Sequence, residues 1–284
     1  MLSAERLLRV TEILHSKDKG IVSASELQEH LGVSATTIRQ DLDRLESMGF
    51  LKRIRGGAIS QQADEEWMPF AARRPVRLQE KQAIGWAAAQ LVQDGDVILL
   101  DMGTTTPFIA RNLTQKKGVT VITNSIAVAD ESTHVPNVKT IILGGEFTAK
   151  ERATFGPQLI QELTNYAVDK FFMSAAGFSI KHGITDPSAT ETQLRRVMTE
   201  AAREIILVAD SSKWRVDSGH TIVALHNIDK LVVDDNLSAD AIQAITSEGV
   251  EVLTPASLRK SSVLQHFIQA TQAKAETDKE NPKE

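Results

Sequence analysis

The sequence predicts an α/β protein in two unequal parts: a small N-terminal helical unit and a larger parallel-sheet domain. Three observations predict it. Apolar residues recur at helical spacing up to about residue 60. Beyond residue 75, short apolar runs alternate with helical stretches, the pattern of strands joined by crossover helices. Between the two lies a polar, proline-interrupted segment, Gln61-Gln62-Ala63-Asp64-Glu65-Glu66 followed by Pro69 and Pro75. The predicted division is 1–60, a linker at 61–75, the α/β domain at 76–255, and a helix with a disordered tail at 256–284.

Composition narrows the classes. Of 284 residues, 42% are apolar and 24% charged, which excludes a wholly disordered chain or a collagen-like rod. No apolar run approaches the roughly 18 residues of a membrane helix. The chain has no cysteine, which excludes disulfides and thiolate chemistry. Together with the absence of an apolar leader, this predicts a cytoplasmic protein without a membrane partner. The seven histidines are scattered, so no metal and no cofactor is expected. Net charge is −5, yet residues 1–60 hold nine basic and eight acidic side chains. Lys52, Arg53 and Arg55 stand together there without an acid between Phe50 and Ser60.

The elements follow in order. Leu7, Leu8, Val10, Ile13 and Leu14 predict an amphipathic helix over 6–15. A second helix covers Ser25 to Leu31 and ends at Gly32, suited to a left-handed cap. Ser34 caps a third helix over 35–48. Its Ile38, Leu42 and Leu45 fall within about 60° of one another, while Thr36, Arg39, Gln40 and Arg44 face away. Helix, glycine turn and capped second helix make helix-turn-helix geometry, and Phe50 to Gly57 reads as a basic wing. In such a unit Thr36, Thr37, Arg39 and Gln40 would enter the major groove. Lys52, Arg53 and Arg55 would meet phosphates.

Seven strands are predicted in the larger part: 97–101, 119–123, 140–143, 170–174, 205–209, 231–233 and 250–253. Most are continuously apolar, as expected when helices cover both faces of a sheet. Small and polar residues follow several of them: Asp101-Met102-Gly103-Thr104-Thr105-Thr106, Asn124-Ser125, Gly144-Gly145, Gly177 and Asp210-Ser211-Ser212-Lys213. Ligands bind at the carboxyl ends of such strands. Gly103 with Thr104–Thr106 suits a phosphate, although threonines at a helix start also serve as simple caps. Leu258, Val263, Leu264, Phe267 and Ile268 predict a further helix, and the polar stretch from Gln272 reads as a disordered tail.

Two resemblances sharpen this. Leu31-Gly32-Val33-Ser34, Thr37-Ile38-Arg39-Gln40-Asp41-Leu42, Leu45-Glu46, Gly49 and Arg53 with Gly56-Gly57-Ala58 resemble the winged helix-turn-helix of the DeoR family of transcriptional regulators. Glu80-Lys81, Asp101 to Thr106, Thr123-Asn124-Ser125, Leu143-Gly144-Gly145, Gly183-Ile184-Thr185, Glu191 and Asp210 to Lys213 resemble its sensor domain. The likeness spans about residues 3–255. It implies a fold similar to ribose-5-phosphate isomerase and a non-enzymatic repressor of carbohydrate genes, controlled by a phosphorylated sugar. It implies a double-stranded operator bound by a homo-oligomer (dimer or tetramer), and with the helix and wing geometry the expected contacts are Ser34, Thr36, Thr37, Arg39, Gln40, Arg44, Lys52, Arg53 and Arg55. With Gly177 added from its place after a strand, the expected effector set is Asp101, Gly103, Thr104, Thr105, Thr106, Asn124, Ser125, Gly144, Gly145, Gly177, Glu191 and Lys213. The chain departs from the family at Gln40 (usually Arg), Arg55 (often His), Ser174 (commonly Gly) and Arg195 (often Lys). A sugar-phosphate isomerase carrying a DNA-binding unit is the alternative.

Overall fold

A computed structural model describes residues 6–7, 9–10, 13–14, 21–47, 51–60 and 69–260. Most of the expected linker, the helix beyond residue 260 and the polar tail lie outside them. The described residues of 6–14 are helical. A short strand β1 (Ile21–Ser23) then leads into α1 (Ala24–Leu31). A reciprocal cap starts α1: Ser23 Oγ accepts from the Glu26 N–H at 3.1 Å, and the Glu26 carboxylate accepts from the Ser23 N–H at 2.9 Å. Gly32, at φ 64°, ends it with an N–H bond to the Gln28 carbonyl. Helix α2 (Ala35–Ser47) follows, and Ser34 Oγ accepts the Thr37 N–H at 3.2 Å. Ile38, Leu42 and Leu45 are buried with Val10, Leu14, Leu27 and Leu51.

The wing is the hairpin β2 (Leu51–Ile54) and β3 (Gly57–Ser60). β1 pairs with β3, giving an antiparallel sheet of order β1-β3-β2. The sequence reading contains no strand at β1, because three residues are too few to show a period of two.

All seven predicted strands form one parallel sheet. Its order is β15 (Glu251–Leu253), β14 (Lys230–Val232), β12 (Ala202–Val208), β9 (Val168–Met173), β4 (Val97–Leu100), β5 (Thr120–Thr123), β6 (Lys139–Ile142). Successive side chains point to opposite faces, and both faces are covered. Ile98, Leu100, Val121, Phe172, Ile206 and Val208 are buried against α4 (Leu78–Gln90), α5 (Thr106–Arg111) and α6 (Ile126–Ser132). Leu99, Ile122, Phe171, Met173 and Leu207 are buried against α7 (Pro157–Leu163), α8 (Ala189–Ala201) and α9 (Ala239–Ser247). A short helix α3 (Phe70–Arg73) precedes α4.

Two further β units were not expected. β7 (Glu146–Thr148) and β8 (Ala153–Phe155) form a hairpin. β10 (Gly177–Ser179), β11 (Gly183–Asp186) and β13 (His220–Val223) form a small antiparallel sheet that contributes Phe178, Ile184 and Ile222 to the core.

Helix α4 lies close on α5. A Cβ at Gly85 would stand 2.3 Å from the Phe108 Cβ, well inside contact distance. Alanine normally gains about 0.5–1 kcal/mol over glycine within a helix. Overpacking here costs about 1–3 kcal/mol, so the clash outweighs the propensity. Gly85→Ala is therefore expected to lower the denaturation midpoint; a raised midpoint would show that α4 slides freely.

The chain runs from β4 outward through β5 to β6, and later from β9 outward through β12, β14 and β15. β4 and β9 are neighbours, so the loops at their carboxyl ends diverge. Such a reversal of strand order leaves a crevice, the usual ligand position in open parallel sheets.

Candidate functional site

A cavity of about 90 Å³ occupies that crevice. Its walls come from Gly103–Thr105 after β4, Ser174–Ala176 after β9, and Ala209, Asp210 and Lys213 after β12. Glu191 and Arg195 of α8, Lys81 of α4, and Arg73, Val76, Lys150, Glu151 and Asp186 also line it.

The floor is an ionic cluster. Asp101 is fully buried, and its Oδ2 accepts from the Ser174 N–H at 2.9 Å, Ser174 Oγ at 2.7 Å and Arg195 Nε at 2.7 Å. Arg195 Nη1 donates to Asp186 at 2.8 Å and to Glu191 at 3.3 Å. One buried guanidinium thus serves three carboxylates. Burial pulls the Arg195 pKa down, but Asp101, Asp186 and Glu191 outweigh it and hold it above its ordinary value. Glu191 is pushed up to about 7, first by burial, against the pull of Arg195 and with added repulsion from Asp186, Glu151 and Asp101.

That shift has a sign. The unfolded Glu191 carboxyl titrates near 4.5, the folded one near 7. Between those values the folded chain binds more protons than the unfolded one. The contribution of Glu191 to stability is therefore full below the unfolded value, falls as pH rises through 4.5 to 7, and stays lost above it. Thermal midpoints taken from pH 5 to pH 8 should show this decline, and Glu191→Gln should flatten it. An unchanged slope in the variant would assign the decline to another group.

Gly103 is needed where it stands. Its φ is 147°, and a Cβ there would lie 2.7 Å from Ser174 Oγ. The expected effector set divides. Gly103, Thr104, Thr105, Glu191 and Lys213 line the cavity. Asp101 lies beneath it, and Thr106 is buried with its hydroxyl donating to the Asp101 carbonyl at 2.7 Å.

Asn124, Ser125, Gly144, Gly145 and Gly177 do not line it, and each has a structural task instead. The Asn124 Nδ2 donates to the Thr154 carbonyl at 3.0 Å, and Ser125 caps α6. The Gly144 N–H donates to Glu162 at 3.1 Å. A Cβ at Gly145 or Gly177 would stand 2.2 Å from the Phe155 or Val216 carbonyl oxygen, so both permit close backbone approach. The hairpin β7–β8 closes over the ends of β5 and β6, with Thr154 bonded to Asn124 and to the Leu143 carbonyl. The expected effector set omits Arg73, Lys150, Glu151, Ser174, Asp186 and Arg195, which also line the cavity. Of these, Ser174 ends a predicted strand and so carries a positional signal, and Asp186 is a candidate base only in the isomerase alternative.

The helix-turn-helix presents a second surface. On α2, Thr36, Arg39, Gln40 and Arg44 are exposed. Ser34 and Thr37 spend their polar atoms on the cap, with their hydroxyls 2.8 Å apart. Asp41 faces inward and binds Arg6, with Nη2 to Oδ1 at 3.1 Å, which ties the first helix to α2. On the wing, Lys52 and Arg55 are exposed. Arg53 instead pairs with Asp43 of α2, and its N–H donates to Glu46 at 2.7 Å. It fastens the wing to α2, a task unreadable from its place in a basic run.

Comparison with known proteins matches both parts. Residues 9–64 match the DeoR-like helix-turn-helix domain, and residues 76–235 match the DeoR C terminal sensor domain. The HTH-type transcriptional regulator YulB of Bacillus subtilis (strain 168) is 35% identical over 252 residues, covering 89% of this chain and 96% of that one. The putative aga operon transcriptional repressor of Escherichia coli O157:H7 is 32% identical, covering 84% and 89%. The HTH-type transcriptional repressor GlcR of Bacillus subtilis (strain 168) is 32% identical, covering 89% and 96%. A ribose-5-phosphate isomerase structure overlaps 49% of this chain and 55% of its own, at 14% identity and a TM-score of 0.37. So distant a likeness says nothing about what the cavity binds.

Proposed function

Since the chain belongs to the DeoR family of transcriptional regulators, we propose that it represses carbohydrate-metabolism genes and is released or recruited by a phosphorylated sugar. The observation that carries the effector class is the composition of the cavity. Backbone and hydroxyls of Gly103–Thr105 stand with Lys81, Lys213 and Arg73, a set that suits a phosphate. Glu191 and Asp186 offer acceptors for sugar hydroxyls on the other side. Thr36, Arg39, Gln40 and Arg44 read the operator, and Lys52 and Arg55 hold its backbone. A homo-oligomer places two such helices on a repeated site. The effector acts by preferring one of two arrangements of the chain.

The test is binding of the full chain to DNA from upstream of its own reading frame, with and without sugar phosphates. One phosphorylated sugar should change the affinity at least tenfold, and its unphosphorylated parent should not. An affinity indifferent to every sugar phosphate would overturn the effector class.

A second reading, an isomerase, is favoured by the place of Glu191 in the cavity wall, where burial pushes its carboxyl up to about 7, a range that suits a general base. Turnover of pentose or hexose phosphates that vanishes in Glu191→Gln would establish it.

A further inference from the structure

Helix α3 is four residues long, too short to hold itself together in water. Its neighbours hold it. On the sensor side, the Phe70 N–H donates to the Lys150 carbonyl at 2.8 Å, Arg73 pairs with Glu151, and Lys81 Nζ donates to the Arg73 carbonyl at 2.6 Å. Arg74 pairs with Glu131 at 3.1 Å, and Arg77 lies 3.6 Å from Asp210. Arg73, Lys81, Lys150, Glu151 and Asp210 all line the cavity. On its other side the same segment enters the DNA-binding unit. Ala72 is 1% exposed and belongs to the core formed by Leu27, Ile38, Leu42 and Leu51, and Val76 packs against it. Val76 also lines the cavity, so a single residue touches both.

We propose that the Phe70–Val76 segment transmits cavity occupancy to the winged helix, with Arg73 the positioning residue on the sensor side and Ala72 the bearing point on the DNA side. This rests on the reading that the cavity takes an anionic effector. An incoming phosphate competes with Glu151 for the Arg73 guanidinium, since both are charge-assisted acceptors. Once Arg73 turns from Glu151, the short helix loses a main fastening on the sensor. The apolar bearing of Ala72 and Val76 then shifts relative to α2. Coupling of this kind is reciprocal, so DNA must also alter the segment.

Reciprocity supplies a test that needs no effector. Hydrogen exchange of the full chain is measured with and without operator DNA. Amides of residues 70–74 and 76 should change their exchange rate at least threefold on DNA binding, while β4 and β5 stay unchanged. Ala72→Glu should abolish that change. No change in the wild-type segment would overturn the proposal. A second arm measures DNA affinity with ribose 5-phosphate and glucose 6-phosphate as probes. A tenfold response in the wild type should fall below twofold in Ala72→Glu, although the probe still raises the thermal midpoint. An undiminished response would overturn the proposal. Should Ala72→Glu unfold the winged helix, Glu151→Gln removes the sensor-side fastening and leaves Arg73 in place: exchange of the 70–74 amides in the DNA-free variant should rise at least threefold, and an unchanged rate would overturn the proposal. A wild type that passes the exchange arm but answers neither probe would sink the sugar-phosphate reading alone.

Discussion

Arg195→Met is expected to lower the thermal midpoint by about 10 °C. The guanidinium is 4% exposed and holds Asp101 at 2.7 Å, Asp186 at 2.8 Å and Glu191 at 3.3 Å. Its removal leaves carboxylates buried without a counter-charge. Breaking a buried ion pair by deleting one partner costs about 3–5 kcal/mol. In a domain of this size each kcal/mol moves the midpoint by about 2–4 °C. Methionine retains most of the volume, so the loss reports charge rather than a void. Arg195→Lys should recover only part of it, because an ammonium is a point charge and does not reproduce a planar fork across three acids. Scanning calorimetry on the full chain decides the matter. A fall below about 3 °C in Arg195→Met would mean that the acids take up protons at little cost. In that case the midpoint of the variant would rise steeply towards low pH.

The second large effect is on DNA. Arg39→Ala and Gln40→Ala should each weaken operator binding about 5- to 150-fold, the loss of one good contact to a base edge. Binding to unrelated DNA should barely change. Arg55→Ala should act differently, weakening operator and unrelated DNA alike and reducing the salt slope by about one. Arg53→Ala should loosen the wing instead, since its partners are Asp43 and Glu46. Fluorescence anisotropy on operator and random duplexes, over a salt series, separates these outcomes. Equal losses for Arg39→Ala on both duplexes would remove it from the reading surface.

Particular residues show how far the sequence could be read. Strands β4, β5, β9 and β12 were legible because both faces are buried. Burial on two sides demands continuous runs such as Val97-Ile98-Leu99-Leu100. β1, β7, β8 and β10 were not, since three residues such as Glu146-Phe147-Thr148 carry no measurable period. In the cavity, Gly103, Thr104, Thr105 and Lys213 were legible because position at a strand end fixes their place. Asn124, Gly144 and Gly145 share that position and those residue types, yet Asn124 is tied to the hairpin β7–β8 and the two glycines lie exposed beside it. Nothing local distinguishes a loop facing a cavity from a loop facing a hairpin. Arg73 and Glu151 stand 78 positions apart in the chain, and their pairing depends on tertiary folding alone.

The central pairing of the large sheet also fixes an order of events during synthesis. β4 finds its neighbour β9 through partners such as Ile98 and Lys170. That pairing waits until residue 170 has left the ribosome. The strands of the wing end at Ser60, about 110 residues earlier. At roughly 5–20 residues per second, that interval lasts about 5–20 s. For that time a nascent chain carries the strands of the winged unit without the sheet that builds the cavity. Transcription and translation share a compartment wherever a polysome trails the polymerase. There, newborn chains would bring the helix-turn-helix near DNA before the sensor domain has closed its central strand pair.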